Sequence, residues 1–285
     1  LQNSTLAESE EEPTNEPVFE NVNEPLINNV NEPVFDDVRV LETGKAIAIG
    51  FKPSHNNIVK IKGSFLGRTI HFKPHKNRFV GLFTFGDSVK PGDYKVKLEM
   101  ENKEGKTFRN VINIPIDREA SDTDPNAETQ FYSQQILQSI AKPKAAPPWP
   151  QPLLTPVEGR IASHFGARKN PMTGKVENHN GVDIAADHGA PVRASLGGKV
   201  VLAKDLGKYG NTVVLDHGGG MGTVYAHLDS WTIKKGDLVK KGDVIGKVGN
   251  SGVSTGAHLH WSLLIDDVAL SPLKHTKAET FQETK

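Results

Sequence analysis

Short segments in which apolar and polar residues alternate fill residues 38–117, and they constrain the fold more than any other pattern in the chain. Alternation with a period of two turns one face of a strand towards a core and the other towards water. The clearest segments are residues 46–51, 58–62, 69–72, 78–83, 94–100 and 111–114. Their regular spacing predicts an antiparallel sandwich, and we interpret residues 38–119 as an immunoglobulin-like β-sandwich domain.

The first 37 residues contain an eight-residue repeat that begins at Asn15, Asn23 and Asn31. Each unit has proline at its third position and is rich in acidic residues, which disfavours a packed helix or a central strand. We interpret residues 1–37 as a flexible tether that leads to a membrane anchor outside this sequence. Alternatively, the Val-Phe pairs of the repeat dock on a protein partner or on the chain's own surface.

Residues 120–155 are predicted to join two domains through a short helix and a linker. Asp124-Pro125 has the form of a helix start. Apolar residues follow at roughly helical spacing at Phe131, Tyr132, Ile136, Leu137 and Ile140. Five prolines between residues 143 and 152 then predict a stiff, extended linker. Residues 156–275 form the second predicted domain, and residues 276–285 form a tail.

Overall composition limits the classes of partner and compartment. The chain has 285 residues, with 34 basic and 34 acidic side chains, so no strong electrostatic attraction to nucleic acid is expected. Cysteine is absent, which excludes disulfides and thiol catalysis. The sequence starts at Leu1 without a secretion signal or a membrane-spanning run, and we interpret it as a mature or trimmed form.

Histidine spacing within the second domain predicts a metal site. His258 and His260 are two apart on a predicted strand, so they project from one face, about 7 Å apart along the strand. His179 and Asp183 are four apart around Gly181, which we expect to serve backbone geometry. A carboxylate combined with imidazoles suits zinc with one coordination position open for water, an arrangement typical of catalysis.

The other histidines are expected to be surface residues or satisfied core residues. They are His55, His71, His75, His164, His188, His217 and His275. His217 differs because it follows a predicted strand and precedes a glycine turn. It is therefore placed either near the metal site or in a turn where it bonds to backbone.

From about residue 156 to residue 272 the chain resembles the lysostaphin-like, or LytM-type, zinc metallopeptidases that cut peptide cross-bridges of bacterial cell walls. The resemblance rests on seven motifs in the same order, which cover well under half of the chain. They are Ser163-His-Phe-Gly-Ala-Arg168, His179-Asn-Gly-Val-Asp-Ile-Ala185, Gly189-Ala-Pro-Val-Arg-Ala194, Tyr209-Gly-Asn-Thr-Val-Val214, Tyr225-Ala-His-Leu228, Val239-Lys-Lys-Gly-Asp-Val-Ile-Gly246 and Ser254-Thr-Gly-Ala-His-Leu-His-Trp261. The fold class implied for the whole chain is mainly β, with an antiparallel β peptidase domain of LytM type after the sandwich.

Carried over position by position, the resemblance implies one zinc ion per chain, held by His179, Asp183 and His260. His258 and His227 would then be the two unligated catalytic histidines. His258 suits the general base, and His227 suits stabilisation of the oxyanion or assistance in proton transfer, although the two roles could be exchanged.

Two further residues receive weaker assignments. Tyr209 lies in a turn that borders the groove in this family, where its phenol could donate to the oxyanion, or it packs at a hairpin. Arg168 either binds a substrate carboxylate or pairs with an acidic neighbour, and it could also be a simple surface residue.

The function implied by the resemblance is a zinc-dependent endopeptidase that hydrolyses peptide cross-links of peptidoglycan with a zinc-activated water. Its partner is peptidoglycan, and its location is extracytoplasmic, in the periplasm, in the cell envelope or secreted. One alternative is an autoinhibited or regulatory wall-binding protein, which the acidic repeat and the stiff linker motivate. Another is a zinc carboxypeptidase that trims stem peptides.

Overall fold

The structure is a computed structural model that describes residues 35–43, 46–53, 57–75, 77–85, 89–116, 128–129, 134–148, 151–170 and 172–276. Its N-terminal half is built from seven strands. They are β1 (Phe35–Thr43), β2 (Ala46–Pro53), β3 (Ile58–Phe65), β4 (Arg68–His75), β5 (Arg78–Thr84), β6 (Gly92–Asn102) and β7 (Thr107–Ile116). All six segments that alternation predicted to be strands lie within β2 to β7.

The seven strands form one antiparallel sheet in the order β1-β2-β5-β4-β3-β6-β7. The sheet folds over at β4 into two layers, one with β1, β2 and β5 and one with β3, β6 and β7. Strand β4 belongs to both layers, because residues 68–71 pair with β3 and residues 72–75 pair with β5. The layers enclose an apolar core that includes Phe51, Phe65, Phe83, Met100 and Ile114. The half is therefore β throughout its described residues, and the immunoglobulin-like assignment stays a prediction. Strand β1 begins three residues before the predicted boundary at residue 38.

The second half contains the remaining strands. They are β8 (Glu128–Thr129), β9 (Arg160–Ser163), β10 (Gly166–Lys169), β11 (Val176–His179), β12 (Val182–Ala185), β13 (Pro191–Arg193), β14 (Gly198–Asp205), β15 (Asn211–Gly218), β16 (Met221–Trp231), β17 (Leu238–Val239), β18 (Val244–Val248), β19 (His258–Ile265) and β20 (Val268–Leu270). Two 3₁₀ turns, Gly207–Tyr209 and Pro272–His275, complete it.

The main sheet of the second half runs in the order β17-β14-β15-β16-β19-β12-β9, and β13, β18 and β20 pair beside it. A smaller sheet has the order β10-β11-β8, in which β8 is parallel to β11. The central strands β16 and β19 are almost entirely buried, because both of their faces are covered. The fold of the chain is therefore mainly β, as predicted.

One helix, α1 (Gln134–Ser139), occurs among the described residues. It buries Ile136, and Ile136 and Ile140 pack with Val214, Val224 and Leu264 of the main sheet. The predicted helix start at Asp124-Pro125 and the predicted helical residues Phe131 and Tyr132 lie outside the described residues. The predicted proline-rich linker is described at residues 143–148 and 151–152, and these residues form neither a strand nor a helix.

The two halves share an apolar cluster. In β5, Phe79 and Phe83 face the sandwich core, whereas the alternate residues Val80 and Leu82 belong to the cluster of the second half. Ala46 and Ala48 of β2 also belong to the cluster of the second half. Both faces of β2 and β5 are therefore buried, since the two faces of each strand pack against different cores. Thr84 adds a hydrogen bond from its hydroxyl to the carbonyl of Ile265.

No helix within the described residues is long and apolar enough to cross a membrane.

We expect Leu82→Ala to lower the free energy of unfolding by about 2–5 kcal/mol, because it empties a buried position in the cluster shared by the two halves. Urea denaturation of the full chain measures the change. Val59→Ala is the matched control, since Val59 is 47% exposed on β3 and its truncation should change the free energy by about 0.5 kcal/mol or less. Equal effects of the two substitutions would contradict a buried interface between the halves.

Candidate metal centre and groove

Strand pairing brings Asp183 and His260 together. Strands β12 and β19 are antiparallel neighbours, and Asp183 lies directly opposite His260 in their register. Side chains at directly opposed positions share one face of the sheet. His258 is two residues from His260 on the same strand, so it projects from the same face. His179 ends β11 and reaches this face from the smaller sheet.

The three predicted ligands form a compact triangle of donor atoms. His179 Nε2 lies 3.0 Å from His260 Nδ1 and 3.2 Å from Asp183 Oδ1, and the latter two atoms are 2.9 Å apart. Two ligand atoms of a tetrahedral zinc ion with bonds of 2.0–2.1 Å are about 3.3 Å apart. All three side chains are buried. The donor set, its spacing and its burial therefore fit a single zinc ion.

Both histidine ligands are oriented through their second ring nitrogen. His179 Nδ1 lies 2.9 Å from the carbonyl oxygen of His164, to which it can donate. His260 Nε2 lies 3.0 Å from the hydroxyl of Ser262. Such partners fix the tautomer and the ring orientation of a metal-binding histidine. If His179 Nδ1 donates to the carbonyl and His260 Nε2 donates to the hydroxyl, the lone pairs of His179 Nε2 and His260 Nδ1 would be available to a metal ion at the centre of the triangle.

The carboxylate ligand is held by Arg168. Its Nη1 donates to Asp183 Oδ2 at 2.8 Å and to the Ser163 hydroxyl at 2.7 Å. Its Nε donates to Glu177 at 2.9 Å, and Glu177 also accepts from Asn170 at 2.7 Å. Arg168 therefore pairs with acidic neighbours, which was one of the alternatives that the sequence left open for this residue. Its substrate-binding role stays a prediction.

The ionisation states of the ligands favour a metal. Burial on its own would raise the pKa of Asp183, but hydrogen bonds and charge from His179 and His260 hold this pKa well below its usual range. Burial lowers the pKa of His260 to about 4 despite the opposing effect of Asp183. Asp183 is thus ionised and His260 neutral near neutral pH, which are the forms that bind metal.

Gly181 permits the close approach of β12 and β19. A Cβ atom there would lie 2.2 Å from the Ser262 hydroxyl oxygen, 2.7 Å from the carbonyl oxygen of Trp261 and 2.8 Å from His260 Cε1. Any larger residue must therefore displace His260 or its hydrogen-bond partner. The sequence predicted a backbone role for Gly181, and the structure supplies its physical reason, which is lack of space.

The two unligated histidines stand side by side above the triangle. The ring centroids of His227 and His258 are 4.7 Å apart. His258 Nδ1 lies 2.8 Å from the carbonyl oxygen of Gly256, and His227 Nδ1 lies 2.8 Å from that of Ser251. A carbonyl accepts only, so each Nδ1 carries a hydrogen. In the neutral ring, each Nε2 is then a proton acceptor.

His227 occupies a strained backbone position. Its φ is 59°, in the left-handed region that few residues other than glycine adopt. Between the pairs Asn211–Leu228 and Val213–Tyr225, β16 has one more residue than β15, so His227 lies at a β-bulge. Burial lowers the pKa of His227. The bulge re-aims this side chain towards His258, which the sequence pattern could not indicate.

Tyr209 is buried beside the triangle, with its ring centroid 6.0 Å from that of His260. Its hydroxyl accepts a hydrogen bond of 3.3 Å from the side-chain amide of Asn180, and burial raises its pKa. The phenol is therefore protonated near neutral pH. Asn180 was not singled out from the sequence, where no spacing distinguishes it.

A groove of about 620 Å³ lies over the triangle. We define the groove by its lining, which consists of residues 168, 170, 172–173, 175, 177, 179, 183, 208–209, 227, 253–255, 258 and 260. All seven predicted site residues line it. Its exposed lining residues include Met172, Lys175, Lys208 and Val253.

The other histidines that the structure describes line no part of this groove. His217 lies in β15, where it bonds to the carbonyl of Gly197 at 2.9 Å and to the Thr223 hydroxyl at 2.8 Å. It therefore bonds to backbone, as one alternative had it, but from a strand and not from a turn. His275 is buried, and burial lowers its pKa to about 4, so its ring is neutral. His55 lies outside the described residues.

The family model described as Peptidase family M23 matches residues 177–272. Among curated proteins, the chain is 42% identical over 114 residues to the DD-carboxypeptidase/endopeptidase Mpg of Neisseria meningitidis, covering 40% of this chain and 26% of that protein. It is 41% identical over 116 residues to the peptidoglycan DD-endopeptidase ShyB of Vibrio cholerae, covering 40% and 27%. The chain thus spans about a quarter of the length of these relatives.

Among solved structures, the chain is similar to a candidate M23 peptidase from Pseudomonas aeruginosa. The TM-score is 0.56 at 25% identity, and the match covers 88% of this chain and 97% of the other. This likeness extends well beyond residues 177–272, so it includes the N-terminal sandwich.

We expect Gly181→Ala to weaken zinc binding by about 10- to 100-fold, because the added methyl group displaces His260 or Ser262. Competition with a chromogenic chelator measures the affinity without any assay of activity. Gly256→Ala is the matched control, since a Cβ there meets nothing within 4 Å. Unchanged affinity in Gly181→Ala would contradict the crowding argument.

Proposed function

Because residues 177–272 form a domain of peptidase family M23, we propose that this protein is a zinc-dependent endopeptidase that hydrolyses peptide cross-links of bacterial peptidoglycan. One observation carries the proposal. A His-Asp-His donor triangle and two unligated histidines with free acceptor nitrogens share one open groove. This combination suits hydrolysis of an amide better than a structural metal site.

His179, Asp183 and His260 would hold the metal. When bound, zinc supplies Lewis-acid chemistry that acidifies water and polarises the scissile carbonyl. Arg168 holds Asp183 through its second carboxylate oxygen, and Ser262 orients His260. These contacts keep the donor atoms in place while substrate enters and leaves.

We assign the general base to His258. Its Nε2 lies 3.9 Å from Asp183 Oδ1, so it stands next to the metal-binding atoms without belonging to the triangle. The carbonyl of Gly256 and the hydroxyl of Ser254 fix its Nδ1 side, at 2.8 Å and 3.1 Å. The neutral ring can therefore take a proton from the attacking water and later pass it to the leaving amine.

His227 and Tyr209 suit stabilisation of the tetrahedral intermediate. Because burial raises the pKa of Tyr209, its hydroxyl is protonated near neutral pH, and a protonated phenol is a suitable donor to an oxyanion. His227 must first be protonated at Nε2 to donate there, because its Nδ1 hydrogen is already directed to Ser251. Tyr209 is thus the constant donor, and His227 assists once it has acquired a proton.

The proposed substrate and location come from the relatives. ShyB is named as a peptidoglycan DD-endopeptidase, and peptidoglycan lies outside the cytoplasmic membrane. We therefore propose an extracytoplasmic location for this protein, in the periplasm, elsewhere in the cell envelope or outside the cell after secretion. We further propose that residues 1–37 either tether the protein to a membrane anchor or bind a protein partner.

The carboxypeptidase alternative has a specific observation in its favour, since the Neisseria relative is named for both activities. Digestion of purified peptidoglycan sacculi followed by mass spectrometry of the fragments separates the two. Conversion of cross-linked dimers into monomers marks the endopeptidase, and release of single terminal residues marks the carboxypeptidase.

We expect His258→Ala to lower the rate of fragment release from sacculi by about 10²- to 10⁴-fold, through loss of the general base. Zinc affinity should remain unchanged, because His258 is outside the donor triangle. His188→Ala is the matched control, since His188 is exposed and does not line the groove. Retained hydrolysis in zinc-loaded His258→Ala would remove this residue from the mechanism.

We expect deletion of residues 1–33 to leave the rate of fragment release unchanged, because our interpretation of residues 1–37 as a tether gives them no part in substrate binding or in the reaction. The shortened chain keeps the sandwich, since removing it would expose the cluster shared by the two halves. The full chain and the shortened chain are compared on the same sacculi. A faster shortened chain would instead support the autoinhibited alternative.

A further inference from the structure

We propose that Lys175 and Lys208 bind carboxylates of the substrate, so that the groove selects a peptide with free carboxylates near the scissile amide over a neutral peptide. This inference rests on the proposed function, because it names the chemistry that the same groove recognises. It assigns a role to two residues that took no part in the metal centre or in the proposed reaction.

The charges that line the groove are unequally engaged. Both lining acids have partners, since Asp183 and Glu177 each accept from Arg168. The other two lining cations, Lys175 and Lys208, are exposed, and neither forms an ion pair with any acid in the described part of the chain. A divalent ion in the triangle would add further positive charge. The groove therefore presents positive charge to an incoming peptide.

Lys175 directly precedes β11, and its backbone is anchored to Asn170. Asn170 also bonds to residues before Lys175, because its side-chain oxygen accepts from the amides of Met172 and Thr173 at 2.8 Å and 3.0 Å. The backbone amide of Asn170 also donates to the carbonyl of Lys175 at 2.8 Å. These bonds thus fix the point from which the lysine side chain reaches into the groove.

Lys208 lies in the 3₁₀ turn Gly207–Tyr209, and its backbone is also anchored. Its carbonyl accepts from the amide of Val253 at 2.9 Å, which ties this turn to the loop that precedes His258. Its Nζ lies 5.1 Å from the centroid of the Tyr209 ring, in a cation–π contact. The ammonium group therefore stands beside the phenol that we assign to the oxyanion, close to the reacting amide.

The ligand chemistry follows from the lysines and their surroundings. In a peptide substrate near neutral pH, the anionic groups are carboxylates. A lysine ammonium is a compact point charge with three donors, and it can serve a carboxylate without requiring one fixed angle of approach. Met172 and Val253, which are 62% and 55% exposed, line the same groove and can contact small aliphatic side chains. An anionic peptide with small apolar residues fits this lining better than an uncharged glycine chain.

The experiment measures binding rather than turnover. The zinc-loaded full chain carrying His258→Ala is titrated calorimetrically with two synthetic stem-peptide dimers. They share one amide cross-link and differ only in that the free carboxylates of the first are carboxamides in the second. We expect the carboxylate dimer to bind more tightly, by about two- to fivefold for each lysine, as for exposed ion pairs. The preference should shrink as salt is added.

Substitutions in the same background assign the preference to the lysines. Lys175→Gln and Lys208→Gln should each reduce it, and the double variant should bind the two dimers equally. Lys204→Gln is the matched control, because Lys204 is exposed four residues before Lys208 and does not line the groove. It should keep the full preference.

The outcomes separate this inference from the proposed function. Equal binding of the two dimers by the parent, no measurable binding of either, or a preference that survives in the double lysine variant overturns the inference. Hydrolysis is then measured with the unsubstituted zinc-loaded chain. A lysine-dependent preference without any hydrolysis overturns the proposed function and leaves the carboxylate site standing, whereas hydrolysis of both dimers at equal affinity does the reverse.

Discussion

The register between β12 and β19 is the constraint on which the rest of the site depends. It sets Asp183 opposite His260, and the period of two then places His258 on the same face. A shift of one residue would turn these side chains to the opposite face of the sheet. Gly181 allows the two strands to approach closely enough for this register, since a side chain there would collide with Ser262 and His260.

Arg168 connects the metal triangle to the wall of the groove. It pairs with both Asp183 and Glu177, and it also donates to Ser163. Its charge is therefore consumed within the protein, and the lysines at positions 175 and 208 are left to meet the substrate. Arg168 thus holds the candidate metal ligand Asp183, whereas the two lysines are available to a peptide. The difference arises because Arg168 lies within reach of acidic side chains of the protein and pairs with them.

The sandwich contacts the second half at a distance from the chemistry. Strand β19 carries His258 at one end and Ile265 at the other, about 23 Å apart at the usual rise per residue. Thr84 of the sandwich bonds at the Ile265 end, and Arg68 bonds to the neighbouring carbonyl of Asp266. The sandwich therefore packs against the end of the strand remote from the metal triangle. None of the described sandwich residues therefore lines the groove.

The sequence by itself determined the β character of the chain and named three candidate metal ligands, which the structure brings together. Alternation of apolar residues is a local property, and it sufficed to locate β2 to β7. The ligands could be named because motif spacing within β19 and around Gly181, together with the family resemblance, marks them directly. The family match at residues 177–272 covers the positions of all three candidate ligands.

Only the tertiary structure decided what depends on contacts between distant segments. The bulge at His227, the engagement of Arg168 by Glu177, and the partners Ser262 and Asn180 arise from strand pairing that no local pattern encodes. The second buried face of β2 and β5 likewise exists only because another core packs against it. Local sequence fixes which faces a strand has, whereas long-range packing fixes what each face meets.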